Sequence, residues 1–189
     1  SYGSTLANEH GENIINKFAS LDGVEVIDYL YTANGRTPVY QFIYRDTPIA
    51  FYLSRVGAPA CAAGLEEVIA MGANKILLFG SCGILNRAAD DKIIIPVSAV
   101  RDEGTSYHYL EAADEVPADA DVIERLEACF ERCGHPYVKG KTWTTDAIYR
   151  ETAEVIAERK ETGCLCVEME CAAAMAVAKF RDIPFAQFL

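Results

Sequence analysis

Apolar residues recur along this chain with two periods, one typical of helices and one typical of strands. Between Ala118 and Cys133, apolar residues follow Val122 at a helical spacing and charged residues lie between them, which predicts an amphipathic helix. Between Lys92 and Val100 the chain is almost continuous in Ile and Val, which predicts a strand buried on both faces. The chain therefore contains both the elements needed for a layered α/β fold.

The same reasoning predicts the other elements. Strands are predicted at Val24–Tyr31, Val39–Arg45, Ile49–Ser54, Lys75–Phe79, Tyr137–Thr144, Cys164–Val167 and Phe185–Leu189, with helices at Pro59–Met71, Glu151–Glu161 and Met169–Arg181. Asn34-Gly35 is a turn signal between the first two strands. Alternating strands and helices predict a three-layer α/β/α sandwich around a central mixed sheet. We expect residues 1–189 to be a single domain that is incomplete at both ends, because Leu189 falls inside an apolar strand.

Composition narrows the classes of function. The net charge of −11 argues against nucleic acid as a partner, and any phosphate site must be locally positive against that field. The longest apolar runs are too short to span a membrane. The seven cysteines are odd in number and lie mostly in apolar segments, which favours reduced thiols in a cytoplasmic protein. Their spacing does not match a zinc finger, so we expect no metal site.

Unusual residues follow three of the predicted strands. The turn from Gly80 to Gly83 has paired glycines that permit positive φ, and its N–H groups and the Ser81 hydroxyl can form an anion nest; a plain turn is the alternative. Glu168 and Glu170 flank Met169 after an apolar strand, and near-buried carboxylates need partners such as sugar hydroxyls. Helix initiation by the dipole is the alternative interpretation for these two glutamates.

Three more residues at strand ends have two interpretations each. Asp146 follows the strand with the only Trp and either serves the site or caps the next turn. Arg55 precedes a helix N-terminus, which is a common anion position, although a surface arginine is equally consistent with the pattern. His108 lies in the polar segment after Val100, and a lone histidine is more often structural.

Two motifs together resemble the nucleoside phosphorylase family that includes uridine phosphorylase and bacterial purine nucleoside phosphorylase. They are Phe79-Gly80-Ser81-Cys82-Gly83 and Val167-Glu168-Met169-Glu170, and the similarity runs from about Gly35 to Leu189. The resemblance implies phosphorolysis of a ribonucleoside to free base and ribose 1-phosphate, with inorganic phosphate as co-substrate and no cofactor.

The resemblance also implies roles for individual residues. Glu170 would hold the ribose hydroxyls as the catalytic residue, with Met169 under the sugar and Glu168 close by. Gly80 and Ser81 would bind phosphate, and Cys82, Thr145 and Ile148 would line the base pocket. Family members complete their sites across a subunit interface, so we expect a homodimer or a higher homo-oligomer. Arg36, after the Asn-Gly turn, is a candidate for the residue lent to a neighbour's phosphate.

The chain departs from the family pattern in ways that keep other functions open. Many relatives have an arginine that grips phosphate where this chain has Leu78, and we expect Arg55 to supply that charge. The family's N-terminal phosphate loop is not recognisable before residue 20, and its base-contacting aspartate lies past Leu189. The alternatives are a nucleosidase that uses water, which Leu78 favours, or a nucleoside-binding module without catalysis. The preferred base cannot be read from the sequence.

Overall fold

The computed structural model describes residues 13–33 and 35–189, which form two compact units, Ser1–Arg55 and Val56–Leu189. In the first unit, residues 13–19 are helical. They are followed by an antiparallel meander of β1 (Glu25–Thr32), β2 (Gly35–Tyr44) and β3 (Thr47–Phe51). Arg45 and Asp46 both have positive φ between β2 and β3, as a tight hairpin turn requires. The predicted turn residue Asn34 lies outside the described residues.

The second unit is built on a mixed sheet. Its strands are β4 (Ile76–Phe79), β5 (Gly83–Ile84), β6 (Ile93–Asp102), β7 (Glu115–Pro117), β8 (Tyr137–Thr145), β9 (Cys164–Glu168) and β10 (Phe185–Phe188). Five strands lie in the order β5-β9-β8-β6-β7, with β6, β8 and β9 parallel and the two short edge strands antiparallel. The parallel pair β10-β4 joins this sheet where Leu189 exchanges both backbone hydrogen bonds with Ile94, at 2.8 and 2.9 Å.

Helices cover both faces of this sheet. They are α1 (Ala58–Ala70), α2 (Ala120–Cys133), α3 (Ala153–Glu161) and α4 (Cys171–Phe180). Ala99 of β6 packs with α1 and α4, whereas its neighbour Val100 packs with Trp143 and α3, and Ile95 packs with α2. Because successive side chains of a strand point to opposite faces of the sheet, α1 and α4 cover one face and α3 covers the other. The predicted α/β class with a central mixed sheet is confirmed.

Capping residues explain where the helices begin. Asp119 accepts hydrogen bonds from the backbone N–H groups of Asp121 and Val122, so α2 begins two residues later than predicted. Thr152 caps α3 in the same way. The helix predicted from Met169 begins at Cys171, because Met169 and Glu170 form the bend between β9 and this helix. The short strands β5 and β7 and the helical residues 13–19 were not predicted, since each lacks a clear periodic pattern.

Gly140, in the middle of β8, has no room for a side chain. A Cβ built there would lie 2.5 Å from Cγ of Leu165 on the adjacent strand β9. We expect Gly140→Ala to lower the free energy of unfolding by about 2 kcal/mol through overpacking. Urea denaturation measures this, with Gly80→Ala as the control because nothing lies within 4 Å of that position.

A substitution of Leu165 on β9 tests whether the steric clash causes this loss of stability. If the clash with Leu165 is responsible, Gly140→Ala costs much less in a Leu165→Ala background than in the parent protein. Equal costs in both backgrounds would mean that the contact with Leu165 is not the cause, since Gly140 has no positive φ that would strain an alanine.

Candidate functional site

The carboxyl ends of three parallel strands meet at one edge of the sheet. The register pairs Asp102 of β6 with Thr145 of β8, and Thr144 of β8 with Glu168 of β9. Polar residues at the ends of these strands therefore lie side by side. Ligands of open α/β sheets bind at this edge.

Glu168 is held almost entirely by the protein itself. It is 6% exposed, and its Oε1 accepts hydrogen bonds from Thr144 Oγ1 at 2.5 Å and Thr142 Oγ1 at 3.4 Å. Its Oε2 accepts from the backbone N–H groups of Glu170 at 2.7 Å and Cys171 at 2.6 Å. Burial raises the pKa of Glu168 to about 7, although these hydrogen bonds act in the opposite direction.

Glu170 has fewer protein partners than Glu168. Its Oε1 accepts a hydrogen bond from the backbone N–H of Gly57 at 2.6 Å, and its Oε2 accepts one from Met169 N–H at 3.3 Å. Burial raises its pKa, and the two backbone N–H groups oppose that shift. Each oxygen of a carboxylate can accept two hydrogen bonds, so the described residues leave one position on each oxygen of Glu170 for a ligand. Met169 is half-buried beside it.

The glycine turn differs from the predicted anion nest. Neither Gly80 nor Gly83 has positive φ, and the N–H of Gly80 donates to Phe188 O at 3.4 Å. A Cβ on Gly83 would lie 2.9 Å from Cγ1 of Val167, so close packing against β9 is what requires a glycine there. Ser81 is exposed and Cys82 packs into a core cluster with Cys166 and Ile94.

Two other predicted base-pocket residues are the last residue of β8 and a residue shortly after that strand. Thr145 is buried, and its hydroxyl accepts a hydrogen bond from Ala147 N–H at 3.2 Å. Ile148 begins a short 3₁₀ turn and is 43% exposed. Ile148 is thus available to a ligand, whereas the hydroxyl of Thr145 already binds backbone.

Asp146 and His108 line an open cleft of about 680 Å³. The remaining lining residues are Pro59, Ala62 and Ala63 of α1 together with Gly104, Thr105 and Tyr109. Asp146 Oδ2 accepts a hydrogen bond from Gly104 N–H at 2.9 Å, so it joins the segments that follow β6 and β8 and does not cap a helix. The cleft has an apolar floor from α1 and a polar rim from this loop.

The arginines of the first unit are held by neutral groups. The guanidinium of Arg55 donates to Thr32 Oγ1, to Gly35 O at 3.0 Å and to Thr37 Oγ1 at 3.2 Å. The guanidinium of Arg36 lies 4.3 Å from the centre of the Tyr29 ring. Among the described residues, neither set of contacts includes a carboxylate, so no ion pair seen there compensates the positive charge of either side chain.

Three residues that shape the site were given no role of their own in the sequence analysis. Thr142 and Thr144 both donate hydrogen bonds to Glu168. They lie on either side of the buried Trp143, and this alternation could have indicated that both threonines share the face of β8 opposite to the tryptophan. Arg101 is 5% exposed and donates to Ser106 Oγ at 2.8 Å and Glu111 O at 2.7 Å, which holds the loop after β6. No sequence pattern distinguishes this arginine from a surface one.

Neither a metal centre nor a membrane span was found in the described part of the chain. Its side chains contain no cluster of three or more His, Cys, Asp or Glu residues that could hold a metal ion. Within residues 13–33 and 35–189, no helix is both long and apolar enough to cross a bilayer.

Comparison with known proteins identifies the family. The sequence model described as the phosphorylase superfamily matches residues 6–189. The chain belongs to this superfamily. It is 25% identical to guanosine phosphorylase from Halorubrum lacusprofundi over 155 residues, and 34% identical to uridine phosphorylase from Thermococcus kodakarensis over 107 residues. These alignments cover 82% and 56% of this chain.

The superfamily fold extends over nearly all of the chain. The crystal structure of uridine phosphorylase from Vibrio fischeri superposes with a TM-score of 0.83 at 24% identity, covering 95% of this chain and 74% of that one. The chain spans 64% of the length of the Halorubrum protein and 39% of the length of the Thermococcus protein. The resemblance read from the Gly80–Gly83 and Val167–Glu170 motifs is confirmed at the level of family and fold.

Proposed function

We propose that this chain is the core of a nucleoside phosphorylase, which splits a ribonucleoside with inorganic phosphate into free base and ribose 1-phosphate. The observation that carries this proposal is the Glu170 carboxylate, which keeps one acceptor position on each oxygen at the carboxyl edge of the sheet. Two adjacent sugar hydroxyls match those two positions. The guanosine and uridine phosphorylases among its relatives support the same activity.

The chemistry follows from where charge develops. As the bond between C1′ and the base nitrogen breaks, the base leaves with the electron pair and positive charge grows on the sugar. A carboxylate bound to the ribose hydroxyls stabilises that charge, and a phosphate oxygen forms the new bond to C1′. Positioning and electrostatics account for catalysis of this kind without a covalent enzyme intermediate or a cofactor.

A panel assay tests the proposed activity. Uridine, inosine, guanosine, adenosine and methylthioadenosine are incubated with the purified protein, with and without inorganic phosphate, and free base is measured. Release that requires phosphate is the expected result and names the base. Release without phosphate would instead establish a nucleosidase, the alternative that Leu78 favours, because a leucine cannot bind phosphate as an arginine would.

The arginines of the first unit are the proposed source of charge for phosphate, together with Gly80 and Ser81. We expect Arg55→Ala to raise the KM for phosphate about tenfold, since a charge-assisted hydrogen bond is worth about 1.5–3 kcal/mol. Arg45→Ala is the matched control, because Arg45 lies in the β2–β3 turn over Tyr44. An unchanged KM for phosphate in Arg55→Ala would remove Arg55 from the site.

The proposal also covers the domain organisation, the cellular compartment and the oligomeric state of the protein. We place both compact units in one phosphorylase domain, because the superfamily match runs through residues 6–189. Within the described residues, Cys82, Cys129, Cys133, Cys164, Cys166 and Cys171 are thiols outside any disulfide, which supports a reducing compartment such as the cytoplasm. A homodimer or a higher homo-oligomer is expected, with Arg36 as the residue offered to a neighbour; sedimentation of wild type and Arg36→Ala, together with phosphate KM values, tests that role.

A further inference from the structure

The two glutamates of the Val167–Glu170 motif differ in how many acceptor positions the protein itself fills. Glu168 accepts four hydrogen bonds, two on each oxygen, from two threonine hydroxyls and two backbone N–H groups. Glu170 accepts one on each oxygen. A carboxylate offers about four acceptor positions in all. In the part of the chain that the structure describes, Glu168 is therefore saturated and Glu170 has two positions left.

The donors to Glu168 form a connected network around the start of α4. Glu168 Oε2 binds the N–H groups of Glu170 and Cys171, and Thr144 Oγ1, which donates to Glu168, accepts from Ala172 N–H at 2.9 Å. Three consecutive backbone N–H groups are satisfied in this way. The first N–H groups of a helix have no partners within it, so this network fixes the turn that carries Glu170.

We propose that Glu168 is a positioning residue that acts with Thr144 to fix the backbone of Glu170, and that Glu170 alone binds the sugar hydroxyls. The proposal rests on the nucleoside phosphorylase function and assigns the roles of the two glutamates within that site. For Glu168 to bind a sugar hydroxyl as well, one of its four present donors would have to leave. Leaving a buried N–H group without a partner is unfavourable, which opposes that exchange.

The surroundings of Glu168 are consistent with a structural network. The titratable groups that face it are Glu170 and the thiols of Cys82, Cys166 and Cys171. No cation is among these groups, so hydrogen bonds hold this carboxyl in place. A protonated carboxyl or a glutamine can accept from the two backbone N–H groups through one oxygen and donate to Thr144 from the other side. Glu168→Gln therefore preserves most of the network, whereas Glu170→Gln changes the group that faces the ligand.

The same substitution at the two positions separates their roles. kcat/KM is measured with a ribonucleoside and with its 2′-deoxy analogue for wild type, Glu168→Gln and Glu170→Gln. We expect Glu168→Gln to lower kcat by about threefold and to keep the preference for the ribonucleoside, because Glu170 is still in place. We expect Glu170→Gln to lose most of that preference. Equal loss of the preference in both variants would make Glu168 a direct ligand and overturn the proposal.

A double-mutant cycle tests whether Thr144 acts through Glu170. Thr144→Val removes the hydroxyl that donates to Glu168 and accepts from Ala172 N–H. We expect it to lower kcat about tenfold in the wild-type background and less than twofold in the Glu170→Gln background, with Thr144→Ser restoring wild-type kcat. A merely structural threonine would cost the same in both backgrounds, and that additive result would contradict the proposal.

The network can also be tested without turnover. Hydrogen exchange of the backbone N–H groups of Glu170, Cys171 and Ala172 is compared in wild type and in Thr144→Val. We expect faster exchange at these three positions in the variant and unchanged exchange in the distant helix α2. Unchanged protection at all three would overturn the positioning role. Fast exchange in a protein that splits no nucleoside would leave that role standing and refute the proposed function instead.

Discussion

Replacing Glu170 with glutamine is expected to lower kcat/KM for the preferred nucleoside by about a thousandfold. Glutamine keeps the shape of the side chain and can still accept the hydrogen bond from Gly57 N–H through its carbonyl oxygen. It removes the negative charge that stabilises the sugar as the bond to the base breaks. Because that charge matters most in the transition state, kcat is expected to fall more than KM rises.

The matched control is the same substitution at an exposed glutamate. Glu154 lies in the first turn of α3 and is exposed, so Glu154→Gln is expected to keep wild-type kinetics. Both variants are expected to fold, as measured by circular dichroism and thermal unfolding. Should Glu170→Gln keep kcat/KM within threefold of wild type in an active protein, the catalytic role of Glu170 would be wrong and the ribose would have to bind elsewhere.

The sequence was most informative where burial and periodicity act together. β6 was predicted because a short run rich in Ile is typical of a buried strand. β8 and β9 were predicted from their apolar residues in the same way. Helix starts were misplaced by about two residues, because the apolar pattern extends into capping turns that Asp119 and Thr152 close. β7 was missed because three residues carry no period, and its pairing with β6 is set by tertiary contacts.

The functional site also has parts that the sequence could predict and parts that it could not. The motif from Val167 to Glu170 identified the two carboxylates, since charged residues after a buried strand are rare without a reason. Which of the two remains open to a ligand depends on Thr142 and Thr144, which belong to another strand and meet Glu168 only through the β8–β9 register. The glycine turn was interpreted through backbone freedom, yet at Gly83 the reason for glycine is the proximity of Val167.

The stability of the protein is expected to depend on pH through Glu168. Its pKa is about 7 in the folded protein, against 4.5 for an ordinary glutamate, chiefly because of burial. A raised folded-state pKa means that the native state binds the proton more tightly than the unfolded state does. The stabilisation is therefore fully present below about pH 4.5 and is lost as the pH rises to about 7. The size of this loss is about 3 kcal/mol, from 1.36 kcal/mol for each pKa unit.

Glu168→Gln should remove this loss, because a glutamine does not ionise. Urea unfolding of both proteins at several values between pH 5 and pH 8 gives the difference in their free energies of unfolding at each pH. The other carboxylates are common to both proteins and largely cancel in that difference, and the raised pKa of Glu170 has burial as its cause. Glu154→Gln should give a curve parallel to that of wild type.

The test depends on how the difference in free energy of unfolding between the two proteins changes with pH. We expect wild type to lose stability relative to Glu168→Gln as the pH rises through this window, and the difference to become constant above about pH 8. A difference that stays constant from pH 5 would mean that Glu168 ionises like an exposed glutamate, so its four hydrogen bonds would outweigh its burial. The expected slope would instead mean that burial dominates, and that near neutral pH a substantial fraction of Glu168 carries the proton that a glutamine at this position imitates.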